Sequence, residues 1–158
     1  MSREIAIAWA GRHRREAWES LCAGYRRRIE RFVPVRDLPV RVAERGSERD
    51  RRKAEGEALL SALPERRWVV ALDGRGKARS SRDLARWWQE LVARWPHTVA
   101  FLIGSDLGLA PDLVSSADET LSLGPLTLAH ELARLVLYEQ IYRALSIGAG
   151  IKYHRGPL

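Results

Sequence analysis

Three short segments place glycine where an apolar run ends: Leu72-Asp73-Gly74, Ile103-Gly104-Ser105 and Leu123-Gly124-Pro125. A residue without a Cβ lets the backbone turn sharply and lets a ligand approach main-chain N–H and C=O groups closely. A tight turn alone explains any one of them. Three in the second half of one chain point to a pocket built from backbone. The side chains best equipped for proton chemistry and anion contact are His130, Arg143 and the run Tyr153-His154-Arg155. Taken by composition, that run reads as an ordinary chain end. Other site types lack their residues. Gly74-Arg75-Gly76 opens like a dinucleotide loop, but Arg79 takes the third glycine position, and Gly148 and Gly150 follow a helical pattern instead of a strand. The sequence has no P-loop lysine, no serine elbow, no H-E-x-x-H and no zinc-type Cys/His spacing.

The elements that must position these groups alternate. Ile5–Trp9 is a short apolar strand, and residues 15–32 form a helix with Trp18, Leu21, Cys22, Tyr25, Ile29 and Phe32 on one face. Residues 33–42 read as a strand that Pro34 and Pro39 push to a sheet edge. Ser47 caps a helix reaching Leu63, with Gly56 weakening it. Trp68–Leu72 is a buried strand, Asp73–Arg79 a loop, and Ser80 with Asp83 opens a helix to Trp95. Thr98–Ile103 is another buried strand, Pro111 starts a short helix, Glu119–Leu123 is the last strand and Leu128–Ile147 the last helix. This is an α/β fold: a mainly parallel sheet with helices on both faces, whose ligands belong beyond the carboxyl ends of the strands. We expect residues 1–158 to form a single domain with no appended RNA-binding domain.

Charge narrows the partner. The net charge is +7, and residues 1–67 hold 17 basic against 11 acidic side chains, in runs such as Arg12-His13-Arg14-Arg15, Arg26-Arg27-Arg28 and Arg51-Arg52-Lys53. That balance fits either a polyanion such as RNA or a solvated arginine-rich surface. Cys22 is the sole cysteine, which excludes an internal disulfide and fits a reducing, cytoplasmic setting. No apolar run is long enough to span a bilayer. No metal and no membrane partner is expected.

Read in order, Leu72-Asp73-Gly74-Arg75-Gly76-Lys77, Leu102-Ile103-Gly104-Ser105-Asp106-Leu107-Gly108-Leu109, Leu121 to His130, Glu139 to Ala144 and Tyr153-His154-Arg155 resemble the ribosomal RNA large subunit methyltransferase H family. That family belongs to the SPOUT, or trefoil-knotted, methyltransferases. The likeness covers nearly the whole chain and is most specific from Trp68 onward. It implies a C-terminal deep trefoil knot, an exception to unknotted topology. It also implies S-adenosyl-L-methionine held by Leu72, Gly104 and the run Leu123, Gly124, Pro125, Leu126, Thr127 and Leu128.

The implied reaction is N3 methylation of a pseudouridine in a hairpin loop of 23S ribosomal RNA, within the large subunit or the 70S ribosome. The enzyme is expected to be a homodimer in which the tail of one subunit serves the pocket of the other. His154 is then the proton acceptor or base-edge contact, with Tyr153 beside it. Arg155 and Arg143 meet phosphate or the developing anion. Glu139 and Arg143 are spaced for a helical ion pair, so part of Arg143's role is structural. Ser105 stands where the family usually has a second glycine, which predicts a more restricted loop and slightly weaker cofactor binding. Two other readings fit the same residues: a knotted methyltransferase with another RNA target, and a non-catalytic RNA-binding or ribosome-docking protein.

Overall fold

The computed structural model describes residues 3–11 and 15–154. The element order is β1 (Ile5–Ala10), α1 (Glu16–Ile29), β2 (Val35–Val40), α2 (Glu48–Ser61), β3 (Arg67–Ala78), α3 (Ser81–Arg94), β4 (Thr98–Ile103), α4 (Pro111–Ser116), β5 (Glu119–Ser122) and α5 (His130–Gly148). The five strands form one sheet in the order β2-β1-β4-β3-β5. Every pairing is parallel. The proline-bearing β2 lies at an edge, where a missing N–H is tolerated.

The central strands β1 and β4 are buried along their whole length. Alternation sends their large residues one way and small ones the other. Ile5, Ile7, Trp9, Val99, Phe101 and Ile103 pack with α1, α3 and α5 in the larger core. Ala6, Ala8, Ala100 and Leu102 face Leu59 of α2 and Leu113 of α4. Alanines on that face let α2 and α4 sit close. Gly56 continues the logic: a Cβ there would meet Leu113 Cδ1 at 3.1 Å, so the residue that weakens the helix locally also allows it to pack.

Both serine caps form as the sequence indicates, with Ser47 Oγ accepting from Asp50 N and Ser80 Oγ from Asp83 N, each at 3.1 Å. Two boundaries differ in a way that matters for the site. The expected loop 73–79 belongs to β3, which re-pairs after a bulge: Leu72 and Lys77 both stand opposite Leu121. The segment between arcs outward, held by Asp73 accepting from Arg75 N at 2.8 Å and Nε at 3.2 Å. That hydrogen-bonded guanidinium holds the Asp73 carboxyl below its usual range. The last helix begins at His130, leaving Leu128 in the preceding loop.

The start of α5 is anchored by Arg134, a buried cation. Its guanidinium meets Glu19 of α1 at 2.9 Å and Asp37 of β2 at 2.5 Å, and its Cζ lies 4.1 Å from the Trp9 ring centroid. Trp9 Nε1 donates to the other Asp37 oxygen at 2.8 Å. A buried charge is tolerated only with such partners, so this clamp fixes α5 to α1, β1 and β2 beside the sheet's carboxyl end. Cys22 is buried next to it, and burial pushes its thiol up to about 11, an unreactive state. Among the described residues, no helix is long and apolar enough to cross a membrane and no group of three potential ligands could hold a metal.

Candidate functional site

The carboxyl ends of β3, β4 and β5 open into a cavity of about 570 Å³, within the size range of small-molecule sites. Each wall comes from one of the glycine-bearing segments. The eight residues expected to hold a cofactor, Leu72, Gly104, Leu123, Gly124, Pro125, Leu126, Thr127 and Leu128, all line it. Gly124 has a φ of +125°, a backbone angle that residues with a Cβ rarely adopt, so the turn after β5 depends on glycine. Gly104 is required for a different reason. A Cβ there would lie 2.6 Å from Gly108 C and 2.8 Å from Leu109 N, because the connection curls back over it. Ser122 joins two walls: its hydroxyl lies 3.3 Å from Gly74 O in the β3 bulge and accepts from Gly124 N at 3.2 Å.

The lining is chemically one-sided. Leu72, Ile103, Leu109, Leu121, Leu123 and Leu128 give apolar walls, while the charged side chains on it are Asp73, Asp106 and Glu131. Among the described residues no Lys or Arg lines it, in a chain of net charge +7. Such a cavity suits a ligand with an apolar body and a positive charge, and disfavours a phosphate. His130 also lines it, with Nε2 3.8 Å from Glu131 Oε1.

Ser105 does not strain its loop. No residue other than glycine has a positive φ among the described residues, so its Cβ costs nothing in backbone angle. The expected restriction instead takes the form of hydrogen bonding, described below.

A second constellation forms at the other end of α5. Arg143 donates to Glu139 Oε1 through Nη2 at 2.5 Å and Nε at 3.0 Å. Tyr153 donates its hydroxyl to the same oxygen at 3.2 Å. Arg143 Nη1 lies 3.2 Å from His154 Nδ1, and its Cζ stands 4.7 Å from the Tyr153 ring centroid. Tyr142 packs edge-on to Tyr153 at 4.7 Å, and Arg28 lies over the rings of Tyr25 and Tyr142 at 5.4 and 5.7 Å. The structure therefore brings Arg143, Tyr153 and His154 together. Arg155 and the run Arg12-His13-Arg14 lie outside the described residues.

These contacts restrict what each group can do. A guanidinium only donates, so His154 Nδ1 accepts and a neutral ring carries its proton on Nε2. The free edge of His154 is then a donor. Burial, with hydrogen bonds to Tyr25 and Glu139, pushes the Tyr153 hydroxyl above the usual phenol range, so it stays protonated at neutral pH. Hydrogen bonding to Glu139 raises Arg143 further into its cationic range. Glu139 partly matches the Arg143 charge and takes the Tyr153 hydroxyl, so the donor the cluster offers a ligand is the His154 Nε2–H.

Within one chain the two constellations do not meet. Ala133 lines the cavity and Arg143 lies ten residues along the same helix, about 15 Å away at about 1.5 Å rise per residue. Three residues that the sequence did not mark as site residues also matter here. Glu139 is the common acceptor of the tail cluster, Ser122 ties two cavity walls, and Glu55 lies behind a third. Glu139 was accessible from its spacing to Arg143. The other two sit in unremarkable local sequence and gain their roles only from tertiary contacts.

The family described as "Predicted SPOUT methyltransferase" matches residues 3–154. The chain is 39% identical over 150 residues to "Ribosomal RNA large subunit methyltransferase H" of Solidesulfovibrio magneticus, covering 95% of this chain and 97% of that protein. It is 46% identical over 135 residues to the protein of the same name from Gluconacetobacter diazotrophicus, covering 83% and 86%. Among solved structures, a probable methyltransferase from Bordetella pertussis superposes with a TM-score of 0.52 at 14% identity, covering 90% of this chain and 96% of that one. That likeness speaks to the fold.

Proposed function

Since the chain belongs to the SPOUT methyltransferase family, we propose that it methylates N3 of a pseudouridine in a hairpin loop of 23S ribosomal RNA, using S-adenosyl-L-methionine. The relatives named ribosomal RNA large subunit methyltransferase H support an rRNA methyltransferase of that family. The observation that carries the cofactor reading is the acidic, apolar cavity on a basic protein. Asp106 and Glu131 suit the sulfonium and ammonium charges, Asp73 being paired with Arg75, the leucines suit adenine, and Gly104 with Leu123 to Leu128 offers main-chain groups to hydrogen-bond it. S-adenosylmethionine, when bound there, supplies an electrophilic methyl group.

The remaining chemistry belongs to side chains. N3 of the base lies between two carbonyl groups, and as the N–C bond forms and the methyl–sulfur bond breaks its proton passes to solvent water. The Nε2–H of His154 donates to one flanking carbonyl oxygen, and Arg143 adds positive charge close by, so the imide anion is stabilised as it develops. This makes His154 a base-edge donor instead of the proton acceptor. Tyr153 holds the Glu139–Arg143 arrangement and offers a ring for stacking. Arg155 is assigned to phosphate. A loop base is already partly unstacked, so presenting it costs less than opening a duplex.

Two copies are needed for this assignment. The tail cluster is about 15 Å from the cavity of its own chain by the helix-rise argument, so the tail of one subunit serves the cavity of its partner. Exposed Leu21 on α1 and Leu132 on α5, at 52% and 36% accessibility, are apolar groups suited to a two-fold contact. Leu137, Tyr138, Ile141 and Leu145 of α5 are buried within the chain itself, while Leu135, Val136, Tyr142 and Ile147 are half-buried. We further propose that the segment from Trp68 onward ties a deep trefoil knot and that the enzyme works in the cytoplasm.

RNA contact is assigned to Arg26, Arg27 and Arg28 together with the tail. Arg28 shares the aromatic group of Tyr25 and Tyr142 with Tyr153. A surface this limited gains from a preformed ribosomal target, which is favoured over a bare hairpin. Labelled methyl transfer should therefore be faster on large subunits or ribosomes than on a synthetic hairpin; equal rates would contradict this. Reversing the three arginines to glutamate should weaken ribosome binding and lower its salt slope by about 2 to 3. Cofactor affinity should not change. An unaltered salt slope would remove α1 from the RNA interface.

A further inference from the structure

The turn after β4 is held from behind by a side chain that the cavity never sees. Gly108 N donates to Ser105 O at 2.9 Å, closing the turn, and Leu107 N donates to Ser105 Oγ at 3.3 Å. The Ser105 hydroxyl in turn donates to Glu55 Oε1 of α2 at 2.5 Å. The second Glu55 oxygen accepts from Ala43 N, in the connection between β2 and α2, at 3.3 Å. Glu55 and Ser105 are 3% and 5% exposed, fifty residues apart in sequence. Gly104, Ser105 and Gly108 line the cavity; Glu55 does not.

We infer that Glu55 and Ser105 form a positioning pair that fixes the direction of the main-chain groups of the Gly104–Leu109 turn toward the cofactor, an inference that rests on reading this cavity as the cofactor pocket. A buried carboxylate is stable only while its donors are in place. The lowest-energy arrangement of α2 and the turn is therefore the one in which Ser105 reaches Glu55. That contact adds a polar tie between the turn, whose far end packs through Leu109, and a helix anchored through Leu59 and Gly56. Ser105 thus supplies through its hydroxyl a constraint that a glycine at this place could not, and Glu55 acts on the cofactor only through it.

The test uses the full-length protein and S-adenosylhomocysteine as the calorimetric probe. Ser105→Ala, Ser105→Gly and Glu55→Gln should each raise its Kd by roughly 5- to 100-fold, the range for an unsatisfied buried group. The double variant Glu55→Gln/Ser105→Ala should bind no more weakly than the worse single variant, because one contact cannot be lost twice. Amide exchange should accelerate at Leu107 and Gly108 and stay slow in β1 and β4. On ribosomes the loss should appear in KM for S-adenosylmethionine more than in kcat. If Glu55→Gln fails to fold, Ser105→Gly decides, since it leaves the Glu55–Ala43 contact in place. Singles that bind within twofold of the unchanged protein with unaltered exchange overturn the pairing, and so do fully additive losses. No binding by the unchanged protein overturns the cofactor reading itself, and this inference with it.

Discussion

Gly104→Val is expected to abolish cofactor binding while leaving the sheet folded. The reason lies in the loop's return path. A side chain at this position points at backbone atoms, 2.6 Å from Gly108 C, 2.8 Å from Leu109 N and 2.9 Å from Gly108 O. None of these can swing aside as a flexible side chain would. The turn must open, which displaces the wall formed by Ser105, Asp106 and Gly108. Overpacking of a fitted site costs typically about 1–3 kcal/mol, and each 1.4 kcal/mol is tenfold, so this alone should lower affinity by about 5- to 100-fold. Valine adds a β-branched side chain to the problem. Calorimetry with S-adenosylmethionine in the presence of EDTA checks it. Undiminished affinity in the variant would remove this turn from the binding site.

The second large effect is restoration of activity by mixing two inactive proteins. Gly104→Val lacks a working cavity and His154→Ala lacks the donor at the tail. If the tail acts across a two-fold interface, the heterodimer has one cavity with intact Gly104 served by an intact His154. Activity should return at up to about half per dimer. The separation of about 15 Å between Ala133 and Arg143 along one helix argues for this arrangement. If the tail serves its own subunit, each cavity keeps one defect and no activity returns. Failure to rescue, with heterodimers demonstrated by mass spectrometry, rules out the shared site.

Much of the architecture was legible from pattern. The near-continuous apolar runs of β1 and β4 announce strands covered on both faces. Pro34 and Pro39 place β2 at an edge, and Ser47 and Ser80 mark helix starts whose caps form. The β3 bulge was not legible. Asp73, Gly74 and Gly76 carry turn chemistry, and local chemistry cannot reveal that Lys77 re-pairs opposite Leu121 across the sheet. The start of α5 was read two residues early because Leu128 continues the apolar periodicity, which cannot distinguish a helix residue from one lining a cavity.

For the site, the three glycine-bearing strand ends identified the cavity, since glycine where backbone must approach a ligand is a local signal. What the sequence hid was tertiary. Glu55 looks like one more polar residue of a charged helix, and its burial against Ser105 depends on α2 packing over β1 and β2 next to the turn that follows β4. The anchoring of Arg134 by Glu19 and Asp37 joins residues about a hundred positions apart. The proton on His154 Nε2 follows only from the contact of Nδ1 with Arg143. Ser105 shows the opposite error: an expectation of backbone restriction, where the structure shows an ordinary φ and a side-chain anchor.

The central claim is a methyl group on N3 of one pseudouridine in 23S ribosomal RNA, placed there by this chain. Mass mapping of ribosomal RNA from a strain lacking the gene tests it most directly, followed by treating those ribosomes with the purified protein and S-adenosylmethionine. One loop fragment should be lighter by a single methyl group in the deletion strain, with the mass restored at N3 of pseudouridine by the protein and not by its His154→Ala variant. An unchanged fragment in the deletion strain, or a methyl group restored at a different nucleotide, would contradict it.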